Sequence, residues 1–331
     1  MDEENEEGES SGFFPSINQF RSVVKAERGW AEYHNVQPRK RRFLGTVKLH
    51  GTNAGISLTP DGDLLFRSRS RVITPDDDNH GFAKAMASSH DEIRQMLSPF
   101  AGDEMATVFG EWCGSGIQSN VGISALEKMF VIFALRVGGE WKPPHHVSGL
   151  SVSTARIFNI HNFPHWTLEI DFSQPEQYQN ELVALTEEVE RQCPVAKAFG
   201  HDGIGEGIVW TPLDEERSSK YWFKVKGEKH SSSKVRVLAA VDVERFAQRD
   251  QLVESLVTEN RLAQGLDLHI NEFGRAVEMK NIGEYLRWVF NDIIKEDADT
   301  IAASDFEVKE LGKPISDIAK RFYIDAVNKA A

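Results

Sequence analysis

The sequence predicts an α+β protein, an antiparallel-sheet domain followed by a small all-helical C-terminal domain. Three observations predict it. As far as Lys226 the apolar residues fall in short runs separated by Gly, Pro and Asp, the punctuation of strands and turns. Two of these runs, residues 56–59 and 64–69, flank Pro60-Asp61-Gly62-Asp63, and Asp-Gly tolerates the positive φ of a tight hairpin turn, so their pairing is antiparallel. From about Val241 onward nearly every segment reads as helix.

Taken in order, residues 1–12 hold Asp2, Glu3, Glu4, Glu6, Glu7 and Glu9 with almost nothing to bury, which predicts a disordered acidic tail. Residues 13–24 space their apolar side chains irregularly and predict no regular element. The first strand starts near Arg39 and runs through Phe43 and Thr46 towards Lys48. The hairpin that follows places Arg67, Arg69 and Arg71 on one strand face, since side chains alternate. Three arginines on one face suit an anion, whereas a lone charged edge strand serves only to block aggregation.

Residues 81–97 read as helix. Residues 107–111 form a strand ending in Glu111 before the Gly-rich Cys113-Gly114-Ser115-Gly116, and residues 129–137 are apolar on both faces and therefore central. Helices are expected at 150–161 and 177–192, and strands at 206–211, closed by Pro212, and at 220–226. A polar hinge at 229–234 leads to helices at 243–259, 282–296 and 308–329. The domain boundary falls near residue 240, giving a tail at 1–12, a sheet domain at 13–240 and a helical domain at 241–331.

With 331 residues, 40% of them apolar, the chain can fill two cores. No apolar run approaches a membrane span, and the acidic start opposes a signal or transit peptide, so a cytoplasmic setting without a membrane is expected. Cys113 and Cys193 lack ligand-like spacing, and His145, His146, His161 and His165 form no metal-binding pattern. A net charge of −13 argues against non-specific coating of nucleic acid. Local basic surfaces remain available: Arg39-Lys40-Arg41-Arg42, and residues 220–236, where six Lys or Arg stand against Glu228 alone beside Trp222 and Phe223.

The chemistry centres on Gly45-Thr46-Val47-Lys48-Leu49-His50-Gly51-Thr52-Asn53, in which an apolar strand delivers a lone Lys to a Gly-containing turn. Most Lys residues are solvated and inert, and a pattern this short does not single one out. The ordered sequence of partners does: Phe109-Gly110-Glu111, then Lys128-Met129-Phe130-Val131-Ile132-Phe133, Glu206-Gly207-Ile208-Val209 and Lys224-Val225-Lys226. A nucleophilic Lys needs its free amine, against a reference pKa of about 10.4, and neighbouring cations favour that form. The same cations suit a polyphosphate. A carboxylate at a strand end, such as Glu111 or Glu206, can accept ribose hydroxyls or hold the hydration shell of Mg²⁺. Either Glu alone would be read as a surface ion pair.

Together these segments resemble the motifs of covalent nucleotidyltransferases, in the K-x-H-G-x-N form of the RNA ligase 2 class of ATP-dependent RNA ligases. The resemblance covers residues 43–226, and the helical C-terminal region is similar in length to that of the phage-type members. It implies a nucleotidyltransferase fold, an ATP-grasp-like ligase domain with the nucleotide between antiparallel sheets, and an adenylyltransferase domain at 13–240. It implies that Lys48 takes AMP from ATP, that Asn53, Arg69 and Glu111 contact ribose and phosphate, and that Phe130 stacks on adenine. Glu206, with Glu111, would serve Mg²⁺ or Mn²⁺. Lys224 and Lys226 would hold the phosphates, and His50 would act after enzyme adenylylation.

Two departures stand out. Val47 replaces the Glu that many members place before the Lys, leaving only main chain there to bind adenine. Asn79-His80 replaces an aromatic pair before Gly81. The expected activity is joining of RNA 5′-phosphate and 3′-hydroxyl ends, most simply at nicks in duplex RNA, by a monomer. A DNA ligase or GTP-using capping enzyme is disfavoured by His50 and by the lack of a β-rich domain after Lys226. A non-catalytic RNA-end binder is disfavoured by retention of the whole set.

Overall fold

The computed structural model describes residues 12–214, 216–230 and 245–330. The acidic tail up to residue 11, the boundary near 240, most of the 229–234 hinge, and Lys234 and Arg236 of the basic run lie outside the described residues. The chain divides into two compact units, one ending at Lys229 and the other beginning at His230.

The first unit carries two sheets. Its strands are β1 (Asn18–Gln19), β2 (Lys40–Lys48), β3 (Thr52–Leu58), β4 (Leu64–Ser68), β5 (Val72–Ile73) and β6 (Ala106–Cys113). They continue with β7 (Met129–Val137), β8 (Glu140–Trp141), β9 (Ile157–Asn159), β10 (His165–Asp171), β11 (Gly207–Pro212) and β12 (Phe223–Lys226). One sheet has the order β1-β12-β11-β2-β10, and the other β5-β4-β3-β6-β7-β8 with β9 alongside β7. Every pairing is antiparallel except β1 with β12 and β7 with β9.

Two cores fix which face of each strand is which. Phe43 and Val47 of β2, Met129 and Val131 of β7, and Ile208 and Trp210 of β11 share one core, so it joins the two sheets. Ile56 of β3, Val108 of β6, and Phe130 and Ile132 of β7 share the other with Phe82, Ile93 and Leu97. Strand β7 is apolar throughout because it is sandwiched between both.

Helices of this unit are α1 (Phe20–His34), α2 (Phe82–Met86), α3 (His90–Leu97), α4 (Pro144–Val147), α5 (Glu176–Arg191) and α6 (Pro194–Ala198). The helix expected over 81–97 is interrupted by a 3₁₀ turn at Ala87–Ser89. The helix expected over 150–161 does not form. Ile157–Asn159 pairs instead with β7, and only single 3₁₀ turns flank it. Strand β10 and helix α1 were not anticipated, and the strand expected from Lys220 begins at Phe223 after a 3₁₀ turn at Ser219–Tyr221.

The second unit is helical in its described residues: α7 (Arg245–Leu256), α8 (Glu259–Asn271), α9 (Ile282–Glu296), α10 (Ala298–Ala302) and α11 (Val308–Ala330). Leu252, Leu256, Leu262, Tyr285, Val289, Ile293, Leu311, Ile315 and Tyr323 form its core. Arg261 is fully buried there and bonded to Asp292 and Asp297, both at 2.8 Å. Pairing with two carboxylates is what makes a guanidinium tolerable in such a core. Among the described residues no helix is long and apolar enough to cross a membrane.

Candidate active site

Lys48 is the last residue of β2, and Thr52 is the first of β3 in the other sheet. The Lys-Leu-His-Gly-Thr-Asn run is therefore the crossing between the two sheets. Gly51 is required at the crossing, because a Cβ there would lie 2.3 Å from the Trp112 carbonyl oxygen and 2.7 Å from Cys113 Cβ. Its N–H donates to Glu111 Oε1 at 2.9 Å, which ties the crossing to β6.

Gly207 pairs with Lys48 on one side and with Lys226 on the other. Its φ is +151°, and a Cβ would come 2.1 Å from the Val225 carbonyl oxygen, so only Gly lets the three strands close up. Glu206, one residue earlier, is consequently aimed between two ammonium groups. Its Oε2 lies 2.6 Å from Lys48 Nζ and its Oε1 3.2 Å from Lys226 Nζ. His50 Nδ1 approaches the same Oε2 at 3.3 Å. Glu206 is 2% exposed and Lys48 21%, so solvent reaches the amine but hardly its partner.

Burial alone would raise the Glu206 pKa, but Lys48 and Lys226, assisted by His50, hold it well below the usual carboxylate range. Glu111 behaves oppositely. Burial pushes its carboxyl up to about 7 against the opposing pull of Lys48, and the negative charge on Glu206 adds to the rise. Two carboxylates in one site thus differ in protonation tendency because only Glu206 receives two direct ammonium contacts. Asn53 sits opposite Glu111 in the β3–β6 ladder. On β12, Phe223 faces the core while Lys224 and Lys226 share the alternate face.

The RNA ligase family model matches residues 41–226, more than half of the chain, and spans every one of these residues. The chain belongs to the RNA ligase family. Solved structures similar to it include the Naegleria gruberi RNA ligase with PPi, at 16% identity and a TM-score of 0.45, covering 65% of this chain and 55% of that one. Two mutants of the same ligase, one with AMP and Mn and one with ATP and Mn, match at 16% identity with TM-scores of 0.43 and 0.42. They too are matched over 65% of this chain, and over 55% and 56% of their own. The chain thus matches little more than half the length of these ligases. Among curated protein sequences nothing matches it.

The remaining expected site residues of this family member fall in different places. Val47 is buried in the core between the sheets, so its main chain is all that it could offer a ligand. Arg69 lies just past the end of β4, where its Nη2 donates to Ser16 Oγ at 3.1 Å. The three arginines do not share an open face: Arg67 is buried and bonds Ser57 Oγ at 2.9 Å, and Arg71 bonds Asp77 at 2.6 Å. Arg39 and Arg41 of the first basic run also turn inward, into ion pairs with Glu27, Asp214 and Glu216.

Phe130 must be corrected. Its ring has no exposure and lies in the second core against Phe82, centroids 5.0 Å apart, on the face of β7 turned away from Glu111. A base cannot reach it. Phe133 is the aromatic on the correct side. It is half-buried against the core between the sheets and is the extra residue where the β6–β7 register shifts, since Phe109 pairs with Ala134 and Gly110 with Ile132. Phe133 shares the Glu111 side by simple alternation from Val131, the ladder partner of Glu111, and the bulge adds Ala134 to the same face.

Among the described residues no cluster of three or more His, Cys, Asp or Glu could cage a metal ion. Glu206 and Glu111 nevertheless suit Mg²⁺ or Mn²⁺ of the kind that keeps several waters and takes its remaining ligands from substrate phosphates. Such an ion would neutralise charge on phosphate oxygens.

Proposed function

We propose that this protein is an ATP-dependent RNA ligase that joins 5′-phosphate and 3′-hydroxyl ends through a lysyl-AMP intermediate. In this reading residues 13–240 are the adenylyltransferase domain, of nucleotidyltransferase and ATP-grasp-like type, and residues 241–331 a helical domain that helps clasp RNA. Membership of the RNA ligase family supports the reaction class. The observation that carries the residue assignments is Glu206 spanning Lys48 and Lys226 at the crossing between the sheets.

Lys48 attacks the α-phosphorus of ATP. A nitrogen–phosphorus bond forms, the bond from that phosphorus to the oxygen bridging to the β-phosphate breaks, and pyrophosphate leaves. The ammonium must first lose its proton to solvent, because Glu206, held well below the usual carboxylate range, is too weak a base to keep it; the 2.6 Å contact with Oε2 orients the amine and has to be released before attack. Lys224 and Lys226 hold the phosphates, while Asn53, Arg69 and Glu111 take ribose and α-phosphate. Phe133 replaces Phe130 as the stacking surface for adenine. AMP then passes from Lys48 to the RNA 5′-phosphate with His50 assisting, and the 3′-hydroxyl displaces AMP to seal the strand. Nicked duplex RNA is the preferred substrate and the monomer the working form.

Incubation with ATP radiolabelled at the α-phosphate and Mg²⁺ should label the protein covalently on the peptide containing Lys48. GTP should give no label, and a nicked RNA duplex should be sealed faster than single strands. Absence of a covalent adduct, or its mapping to another residue, would sink the reading.

A further inference from the structure

The N-terminal segment from Gly12 to Gln19 lies outside the region matched by the family model, yet it runs from one sheet of the first unit to the other. Phe13 lies over the Arg67 guanidinium, with its centroid 5.3 Å from Cζ. Phe14 is buried in an aromatic box made by three residues of one sheet and by Trp222, the residue just before β12 of the other. Its ring centroid is 5.4 Å from that of Phe109, 5.0 Å from Phe133, and 5.8 Å from both Trp141 and Trp222. Ser16 Oγ accepts from Arg69 Nη2 at 3.1 Å. Asn18 donates through Nδ2 to the Lys220 carbonyl and through its main chain to the Trp222 carbonyl, at 3.0 and 3.1 Å. Gln19 then pairs with Lys224.

Two of these contacts reach groups assigned above to the nucleotide. Phe14 meets Phe133 edge to face, with an interplanar angle of 60°, so one edge of the Phe133 environment is supplied by the N-terminal segment. This matters because Phe133 is the unpaired residue of a bulge. Ladder hydrogen bonds fix its stance less than they fix its neighbours, and side-chain packing has to do so. Arg69 is in a similar position, standing beyond the last paired residue of β4 with Ser16 as its hydrogen-bond partner.

We propose that residues 12–19 form a positioning strap for the nucleotide pocket, in which Phe14 sets the stance of Phe133 and Ser16 sets that of Arg69. The inference rests on the assignment of Phe133 and Arg69 to ATP. Phe14 and Ser16 are positioning residues, and neither is required to touch the nucleotide. Their loss should weaken capture of ATP without slowing the chemistry at Lys48 once ATP is bound.

The test measures covalent AMP labelling of the full chain against ATP concentration for Phe14→Ala, Ser16→Ala, Phe133→Ala, Arg69→Ala and the two matched double variants. Phe14→Ala should raise the ATP concentration for half-maximal rate about tenfold, as expected when a base–aromatic stack is loosened, and leave the maximal rate within about twofold. Ser16→Ala should raise it about threefold, and Ser16→Thr should restore it. Each double variant should be no worse than its Phe133 or Arg69 single variant, because a positioning residue has nothing left to position.

Multiplying effects in both cycles, or wild-type behaviour of Phe14→Ala and Ser16→Ala, would overturn the strap while leaving the ligase reading intact. If Phe14→Ala fails to fold, as its circular dichroism would reveal, the Ser16–Arg69 cycle alone decides. A wild-type chain that takes no label overturns the ligase reading, and the strap with it.

Discussion

Strand β2 carries a cluster of charges at each end, and the two differ in kind. At its start Arg41 grips Asp214 with two bonds of 2.6 Å, reaches Glu27 at 2.8 Å and lies over the Tyr221 ring, its Cζ 3.9 Å from the centroid. Arg39 bonds the same Glu27 twice at 3.0 Å and Glu216 at 2.8 Å. At its end Lys48 meets Glu206 through one short contact, and Lys226 and His50 crowd the same carboxylate. Guanidinium forks make directional, saturated pairs, whereas an ammonium is a point charge that can exchange partners and, once deprotonated, react. The first cluster therefore suits a permanent joint and the second a site whose contacts must be broken to work.

Exchanging the two cations is the sharpest way to break this contrast. Lys48→Arg keeps the charge beside Glu206 but removes the amine proposed as the nucleophile. Covalent labelling should fall by more than about 10³-fold, while the melting temperature stays within a few degrees of wild type. Residual labelling near the wild-type rate would show that the end of β2 is another structural pair. The reverse exchange, Arg41→Lys, keeps the charge at the start of the strand but loses the fork to Asp214 and the ring contact. It should cost about 2 kcal/mol, or roughly 4–8 °C in melting temperature, with the labelling rate per folded molecule unchanged. A change in labelling with no thermal shift would erase the distinction between the two ends.

The same contrast explains what could be read in advance. Motif order names Lys48, His50, Glu111, Glu206 and Lys226 as one set, and the fold brings them together, while their roles belong to the proposed reaction. Helix α1 was not, because its inward stripe of Val23, Glu27 and Ala31 puts a charged residue where periodicity looks for an apolar one. Glu27 is tolerated inside only through Arg39 and Arg41, on a different element. Residues 150–161 space their apolar side chains like a helix, but pairing beside β7 outweighs that local pattern. Strand β10 was missed even though its Trp166, Leu168 and Ile170 alternate with polar residues as those of a half-buried strand do. The choice of Phe133 over Phe130 depends on which face of β7 Glu111 shares, and a run that is apolar on both faces does not reveal its ladder partner.

Glu111 gives the finest test, because it lies beside the Lys48–Glu206 cluster and makes no direct cation contact among the described residues. Its carboxyl is pushed up to about 7 in the folded chain, above the ordinary carboxylate value. A carboxyl with a raised folded-state pKa stabilises the fold fully below its unfolded pKa and loses that contribution as pH rises through the folded value. The unliganded protein should therefore lose stability between about pH 4.5 and 7 relative to Glu111→Gln, which stays neutral and keeps an oxygen for the Gly51 N–H. Catalysis should run the other way, because only the carboxylate can accept a ribose hydroxyl without also offering a proton. Labelling at low ATP should rise towards pH 7 in the wild type, by up to about tenfold per pH unit below that point, with a shallower slope in Glu111→Gln. Parallel pH profiles of melting temperature for the two proteins would show that Glu111 is held charged, and would place it with the permanent pairs at the start of β2.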